Sequence, residues 1–90
     1  MCRLKRWREA NCVAPETISA LCGFGEKALA ACESGIGTMR SEDKFALQLL
    51  FGERFSLSVL LERTIASNEE TILSEMSIAY ARTLAQWQRT

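Results

Sequence analysis

Apolar residues recur along this chain in the three- and four-residue steps of helices. The clearest run is C-terminal, where Leu73, Met76, Tyr80, Leu84 and Trp87 follow one another at spacings of 3, 4, 4 and 3. Ser67-Asn68-Glu69-Glu70 precedes it with the composition of a capping box, so a long amphipathic helix is predicted from there. In the centre, Ser41 followed by Glu42 and Asp43 marks a helix start. Phe45, Leu47, Leu49, Leu50 and Phe51 are too densely apolar for one exposed face, which predicts a largely buried helix. Gly52 punctuates the chain, and Leu57, Val59, Leu60, Leu61 and Ile65 predict a further short helix ending near Ser67.

Residues 15–34, PETISALCGFGEKALAACES, fit the twenty-position pattern of a helix-turn-helix in spacing as well as composition. Pro15 has a preset φ and no N–H to satisfy, which suits the first turn of a helix beginning near Ala14 or Pro15. Gly23 provides the turn, because a left-handed residue there would cost a side chain roughly 1 kcal/mol or more. Gly25 is a permissive N-cap and Glu26 a first-turn acid for a second helix running to about Glu33, with Ser34-Gly35 as its stop. Ser19 is the small residue at the closest approach of the two helices. Ile18, Cys22, Phe24, Leu29 and Cys32 form the inward set.

With these residues, the chain resembles the Cro and lambda-repressor-like family of helix-turn-helix proteins, also called the XRE family, over about Leu4 to Phe51. LKRWREAN looks like the family's first helix, with Leu4 and Trp7 on the core side and Arg8-Glu9 where members carry an Arg-Glu pair. Arg8 and Glu33 fall where members form a partly buried ion pair joining the first helix to the end of the third. ESG resembles the family's Glu-Asn-Gly helix ending, and SEDKFALQLLF its fourth helix. The resemblance implies an all-α fold: a lambda-repressor-like helix-turn-helix domain of four to five short helices plus a longer C-terminal amphipathic helix. Residues 1–66 would form the DNA-binding domain, and residues 67–90 a dimerising or core-completing element.

The resemblance also implies which residues meet DNA. Glu26, Lys27, Ala28 and Ala31, with Ala30 beside them, would face base edges: lysine donates to guanine, glutamate accepts from cytosine, and an alanine methyl touches thymine. Phosphate contacts depart from the family pattern, because Pro15 replaces a common glutamine and Ile36, Gly37 and Met39 replace basic residues of the following loop. Thr38, Arg40 and Lys44 remain nearby, and Arg3, Lys5 and Arg6 are expected to supply the missing charge from the first helix. Family members gain affinity by dimerising on an inverted repeat. The expected dimer face is the stripe of Leu73, Met76, Tyr80, Leu84 and Trp87, whose alternative is to complete the chain's own core.

Charge adds a limit: eleven Lys and Arg balance eleven Asp and Glu, so affinity for DNA must come from placed contacts, dimerisation or both. Ninety residues with 48% apolar composition and one proline make one small folding domain. No apolar run is long enough for a membrane span, and MCRLKRWREA is amphipathic instead of signal-like, which predicts a cytoplasmic protein. Cysteines at 2, 12, 22 and 32 contain no CxxC and no histidine is present, so no metal or cofactor is expected. Cys22 and Cys32 are expected inside as small hydrophobes, and Cys2 and Cys12 outside. Glu42-Asp43 and Glu69-Glu70 read as helix-start acids, and no nucleophile or phosphate-loop motif suggests an enzyme. Two functions follow from the resemblance. One is a small dimeric repressor acting on a duplex operator in a mobile element, plasmid, phage or toxin-antitoxin system. The other is a protein-interaction module of antitoxin or inhibitor type on the same scaffold.

Overall fold

Proline and glycine set several of the helix boundaries in the computed structural model, which describes residues 1–35 and 39–88. Its helices are α1 (Arg3–Ala10), α2 (Pro15–Cys22), α3 (Glu26–Ser34), α4 (Ser41–Phe51), α5 (Leu57–Leu60) and α6 (Glu69–Gln88). No strand occurs among the described residues, so the fold is all-α. Pro15 opens α2 behind an extended Ala14. Gly23 ends α2 in the left-handed region at φ 81°, its N–H donating to the Ser19 carbonyl at 2.8 Å. Two residues later Gly25 is extended again, and α3 starts with Glu26 in its first turn. Gly35 closes α3 at φ 75°.

The helices converge on one core. Leu4 and Trp7 of α1, Ile18 of α2, Leu29 of α3, Leu47, Leu50 and Phe51 of α4, Leu60 of α5 and Met76 of α6 are all fully buried. α6 packs along α4, α2 lies against both α3 and α4, and α5 joins α1 to α4. At the centre, Trp7 meets Phe51 edge-on at 5.0 Å and Tyr80 at 4.9 Å, and Phe51 stacks on Tyr80 at 5.9 Å. Such pairs add about 0.5–1.5 kcal/mol each beyond the area they bury. The Trp7 indole N–H donates to Ser77 Oγ at 2.9 Å, so this large side chain is buried without an orphaned donor.

Three expectations change here. α4 is not buried all round: Leu47, Leu50 and Phe51 point inward, whereas Phe45 and Leu49, one turn apart on the opposite face, are 66% and 48% exposed. The α5 helix is a single turn and Ile65 is exposed, because the backbone beyond it bonds elsewhere. Its Glu62 carbonyl takes the Arg3 N–H at 2.8 Å, and the Glu62 carboxylate takes the Thr64 N–H at 2.9 Å. The C-terminal stripe mostly completes the chain's own core. Met76 is fully buried, Leu73 and Tyr80 are half-buried against the core, Leu84 is half-buried and Trp87 partly exposed.

At the start of α6 the reach-back bond expected of a capping box comes from Glu69 and goes to Ala66, which has no side-chain oxygen to complete the box. The Glu69 carboxylate reaches back to the Ala66 N–H at 3.2 Å.

Candidate nucleic-acid interface

The unit formed by α2, its glycine turn and α3 is held to α1 by two charges. Arg8 and Glu33 meet through paired bonds, Nε to Oε2 and Nη2 to Oε1, each 3.0 Å, with side chains only 9% and 6% exposed. A third bond runs from Arg8 Nη1 to the Val13 carbonyl at 3.2 Å, tying the loop before α2 into the same contact. Hydrogen bonding to the Glu33 carboxylate raises the Arg8 guanidinium above its ordinary pKa, so it stays charged at any working pH. Ser19, at the close approach of α2, is buried, and its hydroxyl has no partner.

Of the residues expected on base edges, Glu26 and Lys27 are exposed at the start of α3. Ala31 is half-buried, and Ala28 packs against the core, so its methyl faces inward; the exposed alanine of this helix is Ala30. Glu26 also has a neighbour that the sequence did not bring forward. Its carboxyl lies in hydrogen-bonding contact with that of Glu16 on α2, which raises the Glu26 pKa above its ordinary value. The two carboxyls make a negative spot beside Lys27.

The expected phosphate contacts divide sharply. Arg3 and Arg6 are not available to phosphate, because both belong to Glu69. Arg3 donates to its carboxylate at 2.9 and 3.2 Å and to the Val59 carbonyl at 2.8 Å, and Arg6 reaches it at 2.7 Å. These bonds, led by Arg3, pull the Glu69 pKa down to about 2. A buried carboxylate between two guanidiniums is a structural clasp from α1 to α6, and this corrects their assignment to DNA. Arg40 is exposed but leans on Asp43 at 3.3 Å and Glu42 at 3.9 Å. Thr38 lies outside the described residues.

Five cations among the described residues remain without an ion pair: Lys5, Lys27, Lys44, Arg63 and Arg82. All but Arg82 gather around α3. Lys27 is on the helix itself, and Lys5 lines a hollow of about 370 Å³ with Ala30, Glu33 and Ser34. The positive charge of Lys44 bears on the Cys32 thiol. Arg63 arrives from the loop after α5, where a β-carbon placed on Gly35 would stand 3.4 Å from its Nη1. Sequence reasoning missed Arg63 because no spacing relates a residue beyond α5 to the end of α3.

Other chemistry is sparse. Among the described residues, no group of three or more His, Cys, Asp or Glu side chains could hold a metal ion. Burial pushes the Cys22 and Cys32 thiols up to about 11, which suits packed, unreactive sulfur. Cys2 is buried, contrary to expectation, because it sits at the α1 N-cap inside the core; Cys12 is exposed. No described helix is long and apolar enough to cross a membrane. Comparison of the chain with models of protein families, with curated proteins and with solved structures finds no match.

Proposed function

We propose that the chain is a sequence-specific DNA-binding regulator with a lambda-repressor-like helix-turn-helix, in which α3 lies in the major groove of an operator and blocks transcription. The observation that carries this reading is the set of unpaired cations, Lys5, Lys27, Lys44 and Arg63, on or near α3 in an electrically neutral chain. Phosphates line both flanks of a helix in the major groove, so unpaired positive charge placed there can meet them. Lys27 and Glu26 are the polar side chains at the reading end, and Ala30 supplies the exposed methyl. The Arg8–Glu33 bond gives α3 the fixed mounting that base readout demands.

One such unit reads one half-site, and two copies on an inverted repeat would read two successive major grooves about 34 Å apart. With Met76 buried in its own core, the exposed apolar side chains that could meet a second copy include Phe45 and Leu49 on α4 and Ile78 and Trp87 on α6. A small repressor of a mobile element, plasmid, phage or toxin-antitoxin operon fits this size and charge. The competing reading, a protein-binding module of antitoxin or inhibitor type, draws support from the Glu16–Glu26 carboxyl pair, which repels a polyanion at the start of α3.

Selection of bound DNA from a random duplex pool at about 0.1–0.15 M salt decides between them. An enriched inverted repeat is expected, and Lys27→Ala should alter the selected sequence by about 1–3 kcal/mol of discrimination at one base pair while leaving folding intact. A folded protein that enriches nothing would refute the reading in favour of a protein partner.

A further inference from the structure

The loop joining α5 to α6 is held in place from below by α1. The Arg3 N–H and the Arg6 Nη2 both donate to the Glu62 carbonyl, at 2.8 and 3.4 Å, and Arg6 Nη1 donates to the Arg63 carbonyl at 3.1 Å. The same two arginines are anchored by Glu69, so the backbone at Glu62 and Arg63 is fixed by a buried clasp. The Arg63 side chain leaves that anchored backbone and ends against Gly35, at the exit of α3. Lys5, from α1, lines the hollow beside Ser34, the residue before it. Two cations from distant parts of the chain thus border the end of α3, and neither forms an ion pair, although Glu26 and Glu33 line the Lys5 hollow as well.

We infer that Arg63 and Lys5 form a grip for a backbone phosphodiester at the C-terminal end of α3. This rests on the DNA-binding reading and adds to it a contact supplied from outside the helix-turn-helix. The guanidinium fork matches two phosphate oxygens at once, and the Lys5 ammonium adds a point charge from the hollow that Ser34 lines. A phosphate is also the ligand class that an unpaired arginine and lysine favour over a base edge, because both offer donors only and full charge. The competing role is internal: α3 has no basic residue in its last turn, so the two cations would only offset the negative end of its dipole. The two roles separate in salt dependence. A dipole partner stabilises the fold, whereas a phosphate contact displaces counterions when DNA binds.

The test is fluorescence anisotropy on the full chain with two labelled duplexes of about two helical turns (~20 base pairs), one recovered by selection and one of mixed sequence. Binding is measured from about 0.05 to 0.2 M salt. Arg63→Gln should weaken binding to both duplexes alike and make the slope of log affinity against log salt shallower by about 0.9 for each bound protomer. Per protomer, the variant would then lose about 3.5-fold less affinity than the parent across that fourfold rise in salt. Lys5→Gln should do the same, and Arg63→Lys should restore the parent slope. Thermal midpoints should stay at the parent value, since both side chains end at the surface. An Arg63→Gln protein with the parent slope, or one altered only in its thermal midpoint, overturns the grip and leaves the DNA reading standing. A parent protein that binds neither duplex at the lowest salt overturns both.

Discussion

Replacing Glu33 by glutamine keeps the shape of the side chain and removes its charge, leaving the Arg8 guanidinium at 9% exposure without a counter-ion. Two bonds of 3.0 Å are affected, and the third donor of Arg8 stays on the Val13 carbonyl. Removing one partner of a buried pair costs about 3–5 kcal/mol, because the desolvated charge that remains loses its compensation. A chain of 90 residues has about 5–13 kcal/mol of stability in all. Glu33→Gln should therefore lose about a quarter or more of it and lower the thermal midpoint by about 12–24 °C, taking about 3 kcal/mol as the loss. Urea unfolding followed by tryptophan fluorescence suits the measurement, because Trp7 is 1% exposed and reports the core. The internal control is Arg54–Glu75, a 3.3 Å pair with side chains 74% and 41% exposed. Arg54→Ala should cost no more than about 1 kcal/mol. Replacing both buried partners, as Arg8→Met with Glu33→Leu, should recover most of the loss, since no charge is then left buried. If Glu33→Gln costs no more than Arg54→Ala, the Arg8–Glu33 pair is not desolvated and the mounting of α3 must be explained by packing alone.

Acid should weaken the fold through Glu69. Its carboxylate is held at about 2 by Arg3, Arg6 and the Ala66 N–H, below an ordinary value of 4.5, so its contribution is complete above about pH 4.5 and is lost as the pH falls toward 2. Urea midpoints between pH 2 and 5 should fall steeply for the parent and less steeply for Glu69→Gln; parallel curves would show that the clasp does not titrate with folding. Ser19→Ala should stabilise the protein by roughly 1 kcal/mol, because it removes a buried hydroxyl without a partner and adds a better helix former. Destabilisation in the same urea assay would mean that the hydroxyl is bonded in solution.

Local signals placed the helices because they act within a few residues. Pro15 fixed the start of α2, and Gly23 and Gly35 marked ends where φ is positive, so these boundaries were readable from residue type alone. Ser41 to Phe51 was bounded in the same way. The pairing of Arg8 with Glu33 was expected only through resemblance to a family, which carries tertiary information that spacing lacks. Where the sequence failed, the deciding partner was far away. Arg3 and Arg6 look like free cations until Glu69, more than sixty residues later, takes both. The α6 stripe has the same period whether it faces a second copy or Trp7 and Phe51, and only the closure of α4 on α6 decides that Met76 and Tyr80 turn inward. Phe45 and Leu49 are as apolar as Leu47 and Leu50, and their exposure follows from which side of α4 the other helices cover. Arg63 carries no local mark; it reaches α3 because a clasp between α1 and α6 fixes its backbone there. Helix boundaries are set by backbone torsions and therefore belong to the sequence. Which charges are neutralised and which apolar faces are covered depend on distance and solvent exclusion, which exist only once the chain has closed.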